Sequence, residues 1–402
     1  MNPASIISAY PPIEDLIGLI NKTNPSKIHI YVDLKNVLTS LYVKEVIQEI
    51  VYSSENDCLS DNPQKKLVNS YIFQSCLFYT SFWKKISSNL NIPCNIFFCS
   101  DIGRSSYHRN IYKNYKKNRE VNMLNSAPHD IAIKEIRDKN FGLAESICNK
   151  LDNVYFLCMK HLEADFLPYY LITRKYFDDT NILHLIFSND KDMFQCLNIP
   201  RHVYQLYKIQ SSKIILNKKD IFSTFLKLKN DKISNKEKKL EMISNIDPIW
   251  IPAIMSLCGD DGDDIPGINK VGNIKATEFF KDKRIINEAI GTYDELNERI
   301  EKGGNFFREL TVPIHLSDKD KVILSSNDIV TQAYKLISFE MLSRWIDKET
   351  DLNSINYRKY INNIINKINI ITIKSVNVLY SSILSNLKDN YLNRDTVNSL
   401  FI

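Results

Sequence analysis

The sequence predicts an α/β fold in which a mostly parallel β-sheet is flanked by helices. Three observations predict it. Four short runs are rich in Ile, Val, Phe and Tyr, as strands are. Those runs are apolar almost without interruption, the pattern of strands covered on both faces. Longer segments lie between them, some with helical spacing, and a strand–helix–strand order implies parallel pairing.

Taken in order, the runs are KIHIYVDL (Lys27–Leu34), CNIFFCSD ending at Asp101, NVYFLCMKHLEAD ending at Asp165, and ILHLIFSNDKD ending at Asp192. Between the second and third, IAIKEIRDKNFGLAESICNKL (Ile131–Leu151) carries helical spacing. All four runs place acids at or near their ends, where open parallel sheets build their sites. One such aspartate would be read as a loop start or a helix cap. Four in succession point to a shared site. KLKNDKISNKEKKL (Lys227–Leu240) reads as a solvated, lysine-rich connector. SLCGDDGDDIPGINKVGNIKATEFF (Ser256–Phe280) then packs four aspartates and several glycines into one loop. From about Phe280 onward the chain is amphipathic and rich in Asn, Ile and Lys, which predicts a helical extension without a chemical motif.

The 402 residues exceed one average domain and predict two or three. A net charge of +5 is mild and permits a nucleic-acid partner without arguing for one. The eight cysteines are scattered with no CxxC pair, which argues against zinc and fits a reducing compartment. The N-terminal stretch has no basic region leading into a long apolar one, and no run reaches about 18 apolar residues. A cytoplasmic protein with no signal peptide and no membrane span is expected.

The acids are Asp33, Asp101, Glu163, Asp165, Asp190, Asp192, Asp260 and Asp263. Two carboxylates about 4 Å apart repel by roughly 4 kcal/mol at an effective dielectric near 20. If these converge, either several protonate or hard cations enter. Oxygen-only ligands select Mg²⁺ or Mn²⁺ over zinc. Two such ions can activate a water and stabilise the leaving oxygen of a phosphodiester. Glu163/Asp165 and Asp190/Asp192 are each two residues apart, so extended backbone would aim both members of a pair the same way.

DIGRSSYHRNIYKNYKKNRE follows with Arg104, Arg109, Lys113, Lys116, Lys117 and Arg119, interleaved with Tyr107, Tyr112 and Tyr115. Its cations suit a phosphate that acids alone would repel, and its tyrosines suit stacking on exposed bases. A charged surface helix is the plain alternative; the position just after Asp101 favours substrate contact.

In this order the pieces resemble the flap endonuclease and 5′→3′ exonuclease superfamily, nearest to its bacteriophage 5′ nuclease branch, which includes phage RNase H. YVDLKN resembles the first ligand strand, and the D…R…YKKNR segment the second acid and basic arch. EAD and SNDKDMFQ resemble the third and fourth acid pairs, and GDDGDDIPGINKVGNIKA the loop of a helix–three-turn–helix motif. The likeness spans roughly residues 27–285. It implies a PIN-like core over 1–245 with the arch at 102–130, a DNA-gripping motif at 246–290, and a helical region at 291–402 of unassigned role.

The resemblance further implies metal-ligand roles for the eight acids, with two Mg²⁺ ions that Mn²⁺ can replace. Lys116 and Arg119 take the scissile phosphate. Arg109, Lys113, Lys117, Gly267, Lys270, Gly272 and Lys275 contact DNA. The implied activity is metal-dependent hydrolysis at 5′ ends, flaps or branches of DNA or RNA–DNA, as in primer removal. Replication proteins such as a single-stranded-DNA-binding protein are candidate partners, and a monomer is expected. A non-catalytic branched-DNA-binding protein and a PIN-like ribonuclease on single-stranded RNA are the alternatives.

The sequence departs from the family pattern in places. Phe166 stands where some members carry another acid, and Asp264 replaces an asparagine. Lys270 replaces the first glycine of GIG, and Lys275 lies one place beyond the usual lysine. NRDTVNSLFI lacks a sliding-clamp peptide, so no such contact is expected there.

Overall fold

The computed structural model describes residues 13–34, 80, 83–84, 87–102, 105–124, 141–149, 151–160, 162–174, 181–209, 212–226, 246–310 and 317–348. The Lys227–Leu240 connector and the C-terminal NRDTVNSLFI lie outside the described residues.

Among the described residues, six strands form one sheet: β1 (Lys27–Asp33), β2 (Cys94–Ile102), β3 (Val154–Lys160), β4 (Ile182–Phe187), β5 (His202–Ile209) and β6 (Ser212–Leu216). Their order is β3-β2-β1-β4-β5-β6. Pairing is parallel throughout except for β6, which returns antiparallel along β5. The four apolar runs therefore become β1 to β4. Residues 28–33 of β1 and all of β4 are buried, as their uninterrupted apolar character requires. β5 and β6 carry no terminal acid, so the acid-ended pattern does not mark them.

Beyond the strands, helix α1 (Ile13–Thr23) precedes β1, and α2 (Ser106–Ile111) and α3 (Lys117–Leu124) carry the basic segment. Helix α4 (Phe141–Cys148) lies within the predicted 131–151 helix, of which residues 131–140 are outside the described set. Helix α5 (Phe166–Thr173) follows β3, and a 3₁₀ turn (Asp192–Asn198) follows β4. The loop rich in aspartate joins α6 (Ile251–Cys258) to α7 (Asn273–Phe279). Then come α8 (Tyr293–Glu301), α9 (Asp318–Ser325), α10 (Asn327–Ile337) and α11 (Phe339–Lys348).

The later helices pack back onto the sheet domain: α10 lies against α6 and α2, and α11 against α5. Their apolar faces join the same buried cluster as Tyr31, Phe97 and Ile186 of the sheet. Tyr107 Oη donates to Lys335 O at 2.9 Å, and Gln195 Nε2 donates to Ile337 O at 2.9 Å. Residues after 290 thus brace the basic segment and the turn after β4 from behind.

Strand order reverses between β1 and β4, with β2 and β3 on one side and β5 and β6 on the other. Loops leaving the carboxyl ends of two such neighbours run apart and open a crevice. Asp33, Asp101, Glu163, Asp165, Asp190 and Asp192 lie at or just past those carboxyl ends, and Asp260 and Asp263 come from the loop between α6 and α7.

Candidate active site

Two acids lie in strands. Asp33 is the last residue of β1, and its Oδ2 accepts from Ser188 Oγ at 3.1 Å. Asp101 lies near the end of β2, and its Oδ1 accepts from Ala164 N at 2.6 Å. That contact brings the Glu163–Asp165 turn to the end of β2.

The other two pairs lie past the strand ends, in turns. Asp165 has right-handed helical angles (φ −65°, ψ −27°) and its side chain makes no capping hydrogen bond to α5. The helix-cap reading therefore fails for Asp165. So does the expectation that extended backbone aims Glu163 and Asp165 alike. Glu163 takes the ion pair with Lys116 while Asp165 sits with Asp190 and Asp192, yet the two stay close enough for Glu163 to raise Asp165.

Asp165 joins Asp190 and Asp192. One carboxylate oxygen from each lies within 4.8 Å of the others. Among the described residues, none of the three forms an ion pair within 4.0 Å. Asp192 Oδ1 is buried with no hydrogen-bond partner among the described residues. Burial, then Glu163 and Asp190, pushes the Asp165 carboxyl well above the usual aspartate range. Burial, then Asp190, Asp260 and Asp263, does the same to Asp192, and burial first raises Asp190 as well. Three crowded, oxygen-only donors with an orphaned oxygen fit a hard divalent cation.

Glu163 instead joins Asp263. Tyr115 Oη donates to Glu163 Oε2 at 3.0 Å and to Asp263 Oδ2 at 3.2 Å. Lys116 Nζ lies 2.6 Å from Glu163 Oε1 and 3.4 Å from Asp263 Oδ2. Arg119 pairs with Asp263 and also donates from Nε to Gly262 O at 2.9 Å. Burial alone would raise Glu163, but Lys116, His108 and Tyr115 outweigh it and hold its carboxyl at about 2. Burial would lower Lys116, yet Glu163 and Asp263 raise it above the ordinary lysine value.

Backbone conformation supports this placement. Lys116 has φ +58°, the left-handed region that costs a non-glycine residue about 1–3 kcal/mol, and such strain gathers at functional sites. Its N–H donates to Asp263 O at 2.9 Å, which pins the basic segment to the acidic loop. Asp264, the replacement for asparagine, also has φ +58° and accepts from Asn118 N at 2.7 Å. Asp260 pairs with Lys191 Nζ at 3.0 Å and accepts from Gly262 N at 2.9 Å.

The loop closes tightly. Asp260 and Ile265 exchange backbone hydrogen bonds of 2.9 Å in both directions. Gly259 has φ +71°, and a Cβ on Gly267 would lie 2.0 Å from Cys258 O. Gly267 is thus held by its close approach to residues 258 and 259. Gly272 begins α7 with open space around it. Lys270 has φ +61°, which accounts for the family's glycine there, and its carbonyl accepts from Lys275 Nζ at 2.9 Å. Lys270 and Lys275 are exposed, as are Arg109, Lys113 and Lys117 on the basic segment; Arg104 is outside the described residues.

The tyrosines correct an expectation. Tyr107 and Tyr115 are buried, not free to stack on bases: Tyr107 packs on Trp345, and Tyr115 stacks on His108 at 4.6 Å. Tyr112 is half-buried against the core. Phe166 is likewise buried between Tyr170 and Phe339, so it has no place among the ligands. Sequence reading missed Lys191, although its place between two acids was a usable signal. It also missed Ser188 and the carboxylate-bridging role of Tyr115, whose partners are distant in sequence.

No protein-family model matches the chain. A protein of Buchnera aphidicola subsp. Baizongia pistaciae, named a 5′-3′ exonuclease, is 25% identical over 304 residues, taking in 71% of this chain and 80% of the relative. Bacteriophage T5 D15 flap endonuclease, crystallised as a pseudo-enzyme-product complex with DNA and metal ions, superposes with a TM-score of 0.55 at 14% identity. That match covers 85% of this chain and 100% of the other. The T5 5′-exonuclease with bound zinc superposes with a TM-score of 0.53 at 14% identity, again over 85% and 100%. At that identity the phage structures speak for the fold. The sequence relative carries the exonuclease name of the superfamily that the motifs resemble, and the phage structures share the fold.

Proposed function

We infer that the chain is a metal-dependent 5′ nuclease, hydrolysing phosphodiesters of DNA or RNA–DNA near 5′ ends, flaps or branches. The observation that carries this is the crowded Asp165, Asp190 and Asp192 group, without an ion pair among the described residues, standing beside Lys116 and Arg119, which Glu163 and Asp263 hold. The exonuclease name of the Buchnera relative and the fold of the phage flap endonuclease support it.

Asp165, Asp190 and Asp192 would hold one cation, and Asp33 and Asp101 at the strand ends would help hold a second; Mg²⁺ is proposed for both, with Mn²⁺ as substitute. Bound there, the cations supply charge that activates a water and stabilises the leaving oxygen. Lys116 and Arg119 bind and orient the scissile phosphate, whose oxygens the acids alone would repel. Lys116 is fully protonated at neutral pH, so it stabilises charge and does not act as a base. The loop from Gly259 to Gly272, with exposed Lys270 on it and exposed Lys275 in the first turn of α7, contacts the duplex backbone without reading sequence.

The test is cleavage of end-labelled flap DNA, nicked duplex, RNA–DNA hybrid and single-stranded RNA with Mg²⁺ or EDTA. Mg²⁺-dependent cutting near the 5′ end or branch is expected. Flap binding without any metal-dependent cutting would sink the enzyme reading, and cutting of RNA alone would replace it with a ribonuclease.

A further inference from the structure

The turn Ser188–Asp190 carries one clustered acid across the point where the strand order reverses. Ser188 Oγ donates to Asp33 Oδ2 at 3.1 Å and accepts from Asp190 N at 3.1 Å. One hydroxyl thus ties the end of β1 to the acid beyond β4. Gln205 holds the same turn from the next strand. It is fully buried on β5, opposite Ile186. Its Nε2 donates to Ser188 O and to Asp190 O, both at 2.9 Å.

Two carbonyl acceptors fix which end of the carboxamide is nitrogen, because its oxygen would face only other oxygens there. Gln205 Oε1 is buried without a hydrogen-bond partner among the described residues. An apolar side chain of equal length would leave no such orphan, so packing in the sheet does not call for glutamine at this position. The turn does: without Nε2, both carbonyls lose these bonds beside three carboxylates.

We propose that Gln205, with Ser188, is a positioning residue for the metal centre. The pair presets the Asp33–Asp190 spacing, so cation binding need not order the turn. The inference rests on the metal-ligand reading of these acids. Supporting groups of this kind commonly change metal affinity about 10- to 100-fold when removed.

The experiment uses the full chain with Gln205→Met, which keeps the volume and removes the donors, and Ser188→Ala. Mn²⁺ binding is measured calorimetrically without DNA, thermal unfolding in EDTA, and flap cleavage across a Mg²⁺ titration. Folded Gln205→Met should bind Mn²⁺ about tenfold or more weakly. Its Mg²⁺ midpoint for cleavage should rise by a similar factor, with kcat largely restored at saturating Mg²⁺ and KM for DNA unchanged. A folded variant with wild-type Mn²⁺ affinity and Mg²⁺ midpoint overturns the proposal. So does a kcat loss that saturating metal does not restore. If Gln205→Met does not fold, Ser188→Ala decides by the same readouts. Failure of the wild type to bind Mn²⁺ would bring down the metal-site reading itself; wild-type binding with indifferent variants removes only this inference.

Discussion

Glu163 and Asp165 are two residues apart and titrate in opposite directions. Around Glu163 and Asp263, the chain supplies its own positive charge: Lys116, Arg119 and the Tyr115 hydroxyl reach the carboxylates. Around Asp165, Asp190 and Asp192 it supplies none within ion-pair distance among the described residues. Glu163 is therefore held down at about 2, while Asp165 is pushed up. The difference teaches that carboxylates alone do not define the metal position. On the proposed reading, the group without ion pairs takes cations from solution, and Lys116 and Arg119, held by the other group, meet the phosphate.

The largest break in this comparison comes from Asp190→Asn. It should lower cleavage by about a thousandfold or more, since a cation ligand is lost, with flap binding changed less than about twofold. In EDTA the variant should melt at least as high as wild type, because one member of a repelling trio is gone. Wild-type cleavage would show that Asp190 is no ligand. Next is Lys116→Ala, expected to cost about 100- to 1000-fold in kcat with a smaller change in DNA affinity. A pure affinity loss would make Lys116 an ordinary phosphate contact.

Arg119 pairs with Asp263 too, but its side chain is 54% exposed and its charge is screened. Arg119→Ala should therefore cost about tenfold or less, and less again at high salt. A loss as large as that of Lys116→Ala would reverse their ranking.

The smallest and most diagnostic effect is the pH dependence of stability. The raised folded values of Asp165, Asp190 and Asp192 mean that the cation-free fold binds protons the unfolded chain has released. Their contribution is complete below the ordinary aspartate pKa of about 4 and is lost as pH rises through the folded values. Glu163 works the other way: its contribution is complete above the ordinary glutamate value and is lost as pH falls toward about 2. Divalent cation displaces the protons, so the Tm increment on adding Mg²⁺ should grow with pH in wild type and shrink in Asp190→Asn. Equal increments at every pH would mean that the trio does not hold the ion.

Much of the site was legible because its acids follow apolar strand runs, and because the motifs occur in a familiar order. The family's glycine at Lys270 is explained by its φ of +61°. Less legible were contacts that join distant parts of the chain. Nothing near Tyr115 marks it as bridging Glu163 and Asp263, and nothing near Gln205 marks it as holding Ser188 and Asp190. The tyrosines of the basic segment misled for the same reason: composition suggests stacking on bases, but α10 and α11 cover Tyr107.

The sequence by itself determined a parallel sheet with acids along one edge, since continuous apolar runs must be buried on both faces and their polar ends must emerge. It also determined that cations would follow those acids. Only the tertiary structure decided how the acids divide between a group with partners and a group without. Charge balance depends on through-space separations of a few ångströms. Turns such as the one between Glu163 and Asp165, and side chains reaching in from other strands, set those separations where sequence spacing does not.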